Sequence, residues 1–157
     1  MIGRGLIPSH IQQRVIPNFT TGTLVWTNGF RDGCKVGNRK GRYMQLMFEG
    51  QSYYIHRVLW FLFYGEQPPL YIDHIDQDPS NNAISNLREA THTQNSYNRK
   101  CRAPLGVKGV QQLGDKFKVQ LVINGVNTYY GMFSTLHEAR ILSETLQREH
   151  RGAFVSL

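Results

Sequence analysis

The chain has 157 residues, of which 18 are Lys or Arg and 11 are Asp or Glu, so its formal charge is +7. With 40% hydrophobic and 18% charged residues it can form an apolar core, which excludes a disordered polyelectrolyte. The longest apolar run, Val58 to Tyr64, has seven residues, far fewer than the ~20 of a membrane span. Arg4, Pro8 and His10 interrupt the N-terminal segment, which argues against a signal peptide. We therefore expect no membrane association and an intracellular location, and the basic charge points first to nucleic acid as a partner.

The N-terminal segment is predicted to form β structure after a loose start over residues 1–22. A short strand is expected over 23–26, and strands over 43–48 and 51–55 flank Glu49-Gly50, a plausible hairpin turn. The apolar block from His56 to Tyr64 ends at Gly65, which predicts a short buried helix. At the start of that helix, His56 is interpreted as a structural, hydrogen-bonded histidine.

Basic residues alternate with glycines between the first two of these strands. A glycine-spaced basic loop can follow a phosphate backbone, but a solvated loop is an equally good interpretation at this point. The basic residues concerned are Arg31, Lys35, Arg39, Lys40 and Arg42.

An acidic region lies in the middle of the chain. Residues 1–50 carry a charge of +5, residues 51–98 carry −3 and residues 99–157 carry +5. A protein that only grips phosphates gains nothing from central carboxylates, whereas a site for a hard metal ion would use them.

Within this region an apolar strand ends at Asp73-His74, Leu87 to Thr91 can return as a second strand, and Thr93 can begin a helix that carries Asn95. Phosphodiester cleavage needs a base that activates water and a cation held by ligands. His74 can be the base, and Asp73 and Asn95 offer oxygen ligands that favour Mg²⁺ or Mn²⁺ over Zn²⁺. The competing interpretation is an Asn-rich loop whose Asp and Asn side chains cap turns.

The C-terminal segment follows a polar, proline-terminated linker over residues 100–104. Strands are predicted over 107–112, 116–123 and 126–133, and Asn124-Gly125 between the last two is a strong hairpin signal. Thr135 and Glu138 have the spacing of a capping box, and apolar residues recur on one helix face to about His150. A three-stranded antiparallel sheet backed by one helix is expected.

The central segment resembles the HNH homing endonucleases common in bacteriophage genomes, over roughly residues 23 to 100. The resemblance is carried by His56-Arg57-Val58-Leu59-Trp60, Asp73-His74-Ile75-Asp76, Asn81-Asn82, Asn86-Leu87-Arg88 and Asn95-Ser96. It implies a ββα-metal motif in which His74 is the general base, Asp73 and Asn95 bind one divalent ion, and Asn86 orients His74 across the loop. Asn replaces His at the third motif position, a His-Asn-Asn form that implies a change in metal preference more than a loss of activity.

Residues 105 to 154 are similar to the DNA-binding domain of plant ethylene-response factors (the APETALA-like domain), which places a sheet face in the major groove. Alternation assigns Phe117, Val119, Leu121 and Ile123 to the helix side and leaves the intervening residues outside. The resemblance and the alternation imply DNA contacts by Lys108, Gln111, Lys116, Lys118, Gln120, Asn127 and Tyr129. Several plant arginines are Gln or Asn here, so the target sequence does not transfer.

These observations predict an α+β protein with an N-terminal arm (1–22), an HNH nuclease domain (23–99), a linker (100–104) and an ethylene-response-factor-type domain (105–157). The predicted function is Mg²⁺- or Mn²⁺-dependent cleavage of double-stranded DNA, as in a phage homing or nicking endonuclease acting in the bacterial cytoplasm. Arg57 joins the five basic residues above as an expected DNA contact, and no obligatory protein partner is predicted. One alternative is a non-catalytic DNA-binding protein with the same fold. Another is an RNA-binding protein that uses the tyrosines at 43, 53, 54, 129 and 130 as base platforms.

Overall fold

The computed structural model describes residues 5–29, 31–99, 101–123 and 125–154. Lys100 of the predicted linker, Asn124 of the predicted hairpin turn, residues 1–4 of the arm and residues 155–157 lie outside these ranges. The chain divides into two compact units, Met1–His92 and Thr93–Leu157. Among the described helices, none has both the length and the hydropathy of a bilayer span.

The first unit contains three small antiparallel sheets in the order β1-β2, β3-β4-β5 and β6-β7, as far as the described residues show. Its elements are β1 (Val15–Asn18), β2 (Thr23–Trp26), β3 (Asn38–Lys40), β4 (Tyr43–Phe48), β5 (Gln51–Tyr54), α1 (Ile55–Tyr64), β6 (Ile72–His74) and β7 (Leu87–Glu89). A further helix, α2 (His92–Tyr97), begins at the last residue of this unit.

The beginning of the chain is more ordered than the predicted loose start. A 3₁₀ helix over Ser9–Gln13 leads into β1, which pairs along its whole length with β2. Ile7, Ile11 and Val15 are buried in the main core. Their four-residue spacing is typical of a helix, but Pro8 and Pro17 disfavour a regular element. The sequence therefore did not predict the 3₁₀ helix and β1 in this segment.

The basic, glycine-spaced segment is a strand in part and not only a loop. Asn38–Lys40 pairs with the start of β4, and all three of its side chains are exposed. Gly37 precedes it with φ of 111°, and a Cβ there would clash with the Ile55 side chain. The polar, Gly-rich composition of this segment does not predict a strand, because β3 forms only through pairing with β4.

The predicted hairpin and buried helix are confirmed. β4 and β5 pair across Glu49 and Gly50, which both have positive φ. α1 buries its first five residues and ends at Gly65 in the left-handed conformation. The helix packs on the same core as β4 and β5, and the His56 ring near its start contacts the His74 ring at the end of β6.

The second unit has the predicted sheet and helix. β8 (Val110–Leu113), β9 (Lys116–Ile123) and β10 (Val126–Phe133) form an antiparallel sheet with β9 in the centre. α3 (Leu136–Arg151) begins with the predicted capping box, and its Ala139 packs with Val119 of β9. The α+β class, with a central ββα segment and a C-terminal sheet on one helix, is therefore confirmed.

Candidate functional site

Asp73 and His74 are the last two residues of β6, and both are buried. The antiparallel register places Asp73 opposite Arg88 on β7. Arg88 Nε and Nη2 both donate to Asp73 Oδ2, at 2.8 and 2.7 Å. This charge-assisted pair fixes the carboxylate beside His74 and supplies the compensation that a buried carboxylate requires.

The imidazole of His74 is held by Asn82. His74 Nε2 donates to Asn82 Oδ1 at 3.0 Å, and both side chains are buried. Because a carboxamide oxygen only accepts, the neutral ring carries its hydrogen on Nε2, and Nδ1 is its basic nitrogen. Asn82 in turn donates to the Ser80 carbonyl. Asn82 was absent from the predicted site, although the Asn81-Asn82 pair belonged to the motif.

Asn86 closes the loop between β6 and β7. Its Nδ2 donates to Asp76 Oδ1 at 2.9 Å and to the Asn81 carbonyl at 2.8 Å, and its Oδ1 accepts from the Asp76 backbone at 3.0 Å. Burial acts to raise the pKa of Asp76, but hydrogen bonds from Asp78, Asn81 and Asn86 outweigh it, so that the pKa is lowered. Asn86 therefore orders the loop that carries Asn82.

The rings of His56 and Tyr43 lie against that of His74. The His56 ring meets the His74 ring edge to face, with centroids 5.2 Å apart. Burial, followed by the charges of His74 and Arg57, lowers the pKa of His56 from 6.5 to about 3. His56 is thus a neutral, buried wall of the site, in keeping with the structural role predicted for it.

Asn95 lies on α2 and is half-buried. It belongs to the second unit, which begins at Thr93. Its role as a metal ligand stays a prediction.

The basic residues of the first unit fall into two groups. Arg31, Lys35, Arg39, Lys40 and Arg42 are exposed. Arg31 also lines a surface cavity of about 360 Å³ together with Arg14 and Trp26. By contrast, Arg57 is buried and donates to the carbonyls of Pro68 and Pro69. It holds the segment before β6 in place, so we leave it out of the proposed DNA contacts.

The sheet of the second unit presents one polar face. Register places Gln111 opposite Lys118, Gln120 opposite Tyr129 and Asn127 opposite Val122, so these side chains share the face that Lys116 begins. Val119 and Leu121 are buried on the other face, as the alternation predicts.

Lys108 differs from the other residues assigned to DNA contact. Its Nζ donates to the Tyr97 carbonyl at 3.0 Å, and burial together with Arg151 lowers its pKa. Its own carbonyl accepts from Ser143 on α3. Lys108 joins the sheet to neighbouring segments of the second unit, and we leave it out of the proposed contacts as well.

The segment that contains these residues is similar to known proteins. Residues 53–97 match the family described as HNH endonuclease, a segment that runs from β5 through the Asp73-His74 strand to α2. The chain is also 31% identical over 105 residues to an uncharacterised HNH endonuclease of Acanthamoeba polyphaga mimivirus. That alignment covers 65% of this chain and 55% of the relative, so the chain spans about half the length of the curated protein it matches. No solved structure gives a significant match.

Proposed function

We propose that the protein is a metal-dependent endonuclease that hydrolyses phosphodiester bonds in double-stranded DNA. The observation that carries the proposal is the pair Asp73 and His74 at the end of β6, with the His74 ring fixed by Asn82, inside the segment that matches the HNH endonuclease family. When Nε2 of a neutral histidine donates a hydrogen bond, Nδ1 is the nitrogen that can accept a proton and act as a base.

His74 is the proposed general base. Its Nδ1 takes a proton from a water molecule as the water oxygen forms a bond to phosphorus and the bond to one bridging oxygen breaks. The hydrogen bond from Nε2 to Asn82 keeps the ring in the required tautomer before and during this proton transfer. Asn86 acts indirectly, because it orders the loop that carries Asn82.

Asp73 and Asn95 are the proposed ligands of one divalent ion. A carboxylate and a carboxamide are hard oxygen donors, which fit Mg²⁺ or Mn²⁺. Within the described ranges, no three His, Cys, Asp or Glu side chains gather into a metal-binding group. Mg²⁺ commonly binds through one or two protein carboxylates together with substrate phosphates and water. An ion held by Asp73 and Asn95 would supply Lewis-acid stabilisation of the charge that develops during cleavage.

Double-stranded DNA is the proposed substrate. The exposed cations of β3 and its flanking loops can contact phosphates without reading sequence. The polar sheet face of the second unit, with Lys116, Lys118, Gln120 and Tyr129, is proposed to contact bases in the manner of the ethylene-response-factor domain. The phage homing or nicking role belongs to the same proposal.

The test is cleavage of supercoiled plasmid with Mg²⁺ or Mn²⁺, using wild type and His74→Ala. Wild type should convert the plasmid to nicked or linear product, and His74→Ala should be slower by about 10²–10⁴, the usual contribution of a general base. Equal cleavage by both proteins would overturn the role of His74. Binding of DNA without cleavage under any divalent metal would instead indicate a non-catalytic DNA-binding protein.

A further inference from the structure

One exposed aromatic side chain beside His74 has no part in the proton transfer described above. Tyr43 is the first residue of β4, and it stays 38% exposed. Its ring centroid lies 6.2 Å from that of His74, with 44° between the ring planes. An exposed ring at this distance from the proposed base can be reached by a nucleotide bound at the site.

The ring of Tyr43 packs against two other rings, those of Tyr54 and His56. Its centroid lies 5.3 Å from that of Tyr54 and 5.7 Å from that of His56. Tyr54 and His56 are themselves stacked, with centroids 5.5 Å apart and 17° between their planes. A side chain packed in this way loses little conformational freedom when a ligand contacts it, which favours binding.

Cationic residues flank the same ring. Lys40 is the register partner of Tyr43 across the turn, and Arg42 precedes it, both with exposed side chains. Arg39 Nε donates to the Gly41 carbonyl at 3.2 Å, which ties the turn together. Cations that follow a phosphate backbone, combined with an aromatic ring, are the features by which proteins hold unstacked nucleotides.

We propose that Tyr43 is a substrate-binding residue whose exposed face stacks on a base opened from the DNA duplex next to the cleaved phosphate. The 6.2 Å between the ring centroids of Tyr43 and His74 is short enough for the stacked base to adjoin the phosphate on which His74 acts. The inference rests on the proposed nuclease function and adds to it a nucleotide-binding position. Lys40 and Arg42 would hold the phosphates on either side.

The first experiment combines a protein variant with an altered substrate. On an intact duplex, Tyr43→Ala should cleave roughly ten- to a hundredfold less efficiently, the range expected for loss of one base stack, whereas Tyr43→Phe should stay near wild type. Single abasic sites placed through the cleavage region should impair wild type at one or two adjacent positions. On that abasic substrate, wild type and Tyr43→Ala should be equal.

If Tyr43→Ala and an abasic site lower cleavage additively wherever the abasic site is placed, the stacking assignment is wrong. Tyr43→Leu preserves apolar packing without an aromatic face and should resemble Tyr43→Ala, which separates stacking from a folding defect. Tyr64→Ala is the matched control, because Tyr64 is an exposed aromatic residue at the end of α1. It should cleave like wild type.

A second measurement does not require cleavage. Duplexes with 2-aminopurine at each position near the site are titrated with wild type in EDTA, and the proposal expects a fluorescence change confined to one or two positions that is lost in Tyr43→Ala. If this signal is found while no metal supports cleavage, the nuclease proposal fails and the stacking position stands. If cleavage depends on His74 but neither assay responds to Tyr43, the stacking position fails alone. Tighter binding of single-stranded RNA of the same sequence would overturn the assignment to DNA.

Discussion

His74 Nε2 donates a hydrogen bond to Asn82 Oδ1 at 3.0 Å, and neither side chain is reached by much solvent. The backbone of Asn82 also packs closely against Gly22. A Cβ at Gly22 would clash with the backbone of Asn82. Ile84 further donates from its backbone to the Phe19 carbonyl. The turn after β1 therefore sets the position of Asn82, and Asn82 sets the tautomer and orientation of His74.

Replacing Asn82 tests this relationship. Asn82→Ala removes the acceptor for His74 Nε2, so the ring can rotate or change tautomer, and we expect kcat for DNA cleavage to fall roughly 10–100-fold with little change in KM. Asn82→Asp retains an accepting oxygen and should keep more of the activity. Steady-state kinetics on a short duplex provide both constants. A wild-type kcat in Asn82→Ala would contradict the assignment.

The pair between Asp73 and Arg88 predicts a coupling in stability. Arg88→Met removes the guanidinium that compensates a buried carboxylate, and it should lower the free energy of unfolding by about 2–4 kcal/mol without added metal. Asp73→Asn removes the charge that Arg88 balances. In the double variant the loss should be smaller than the sum of the single losses, because the uncompensated charge is gone. Urea unfolding of the four proteins measures the coupling, and strict additivity would contradict it.

The buried His56 predicts a loss of stability in acid. Its pKa is about 3 in the folded protein, against an ordinary value of 6.5 for histidine, so between these pH values the unfolded chain binds more protons. The stabilisation is complete above pH 6.5 and is lost as the pH falls toward 3, amounting to about 2 kcal/mol between pH 7 and pH 5.

The measurement is urea unfolding at pH 7 and pH 5 for wild type and His56→Phe, which keeps an aromatic ring but cannot bind a proton. His56→Phe should lose less stability than wild type over this interval by about that amount. His137→Phe, at an exposed position on the first turn of α3, is the matched control for replacing a histidine by phenylalanine. The same pH dependence in all three proteins would exclude His56 as its source.

Local signals in the sequence account for much of the fold. The Glu49-Gly50 turn, the stop at Gly65 and the Thr135 capping box act over a few residues, and each is present where it was expected. β3 was not predicted, because polar Asn38–Lys40 becomes a strand through pairing with β4. Strand formation of this kind depends on tertiary context more than on composition.

The same distinction applies to the site. Adjacent Asp73 and His74 are visible in the sequence because their chemistry is carried by residue type. The roles of Asn82 and Arg57 are not visible in the sequence, since each role depends on a partner that only the fold supplies. Asn82 binds the His74 ring, and Arg57 binds the carbonyls of Pro68 and Pro69. From the sequence alone, Arg57 next to His56 is a reasonable candidate for DNA contact. Its burial and its hydrogen bonds to the Pro68 and Pro69 carbonyls indicate that it supports the protein backbone instead.

The exposed cations around β3 predict how DNA affinity depends on salt. Each phosphate contact contributes about −0.9 to the slope of log K against log salt concentration on duplex DNA. Replacing Arg39, Lys40 and Arg42 by Gln should therefore make the slope shallower by nearly 3, and it should weaken binding similarly on unrelated sequences, because phosphate contacts do not read bases. Fluorescence anisotropy of a labelled duplex between about 50 and 200 mM salt measures the slope. Arg140→Gln is the control, since Arg140 is exposed on α3, which packs on the opposite face of the sheet from Lys118. An unchanged slope in the triple variant would show that β3 and its turn do not contact the DNA backbone.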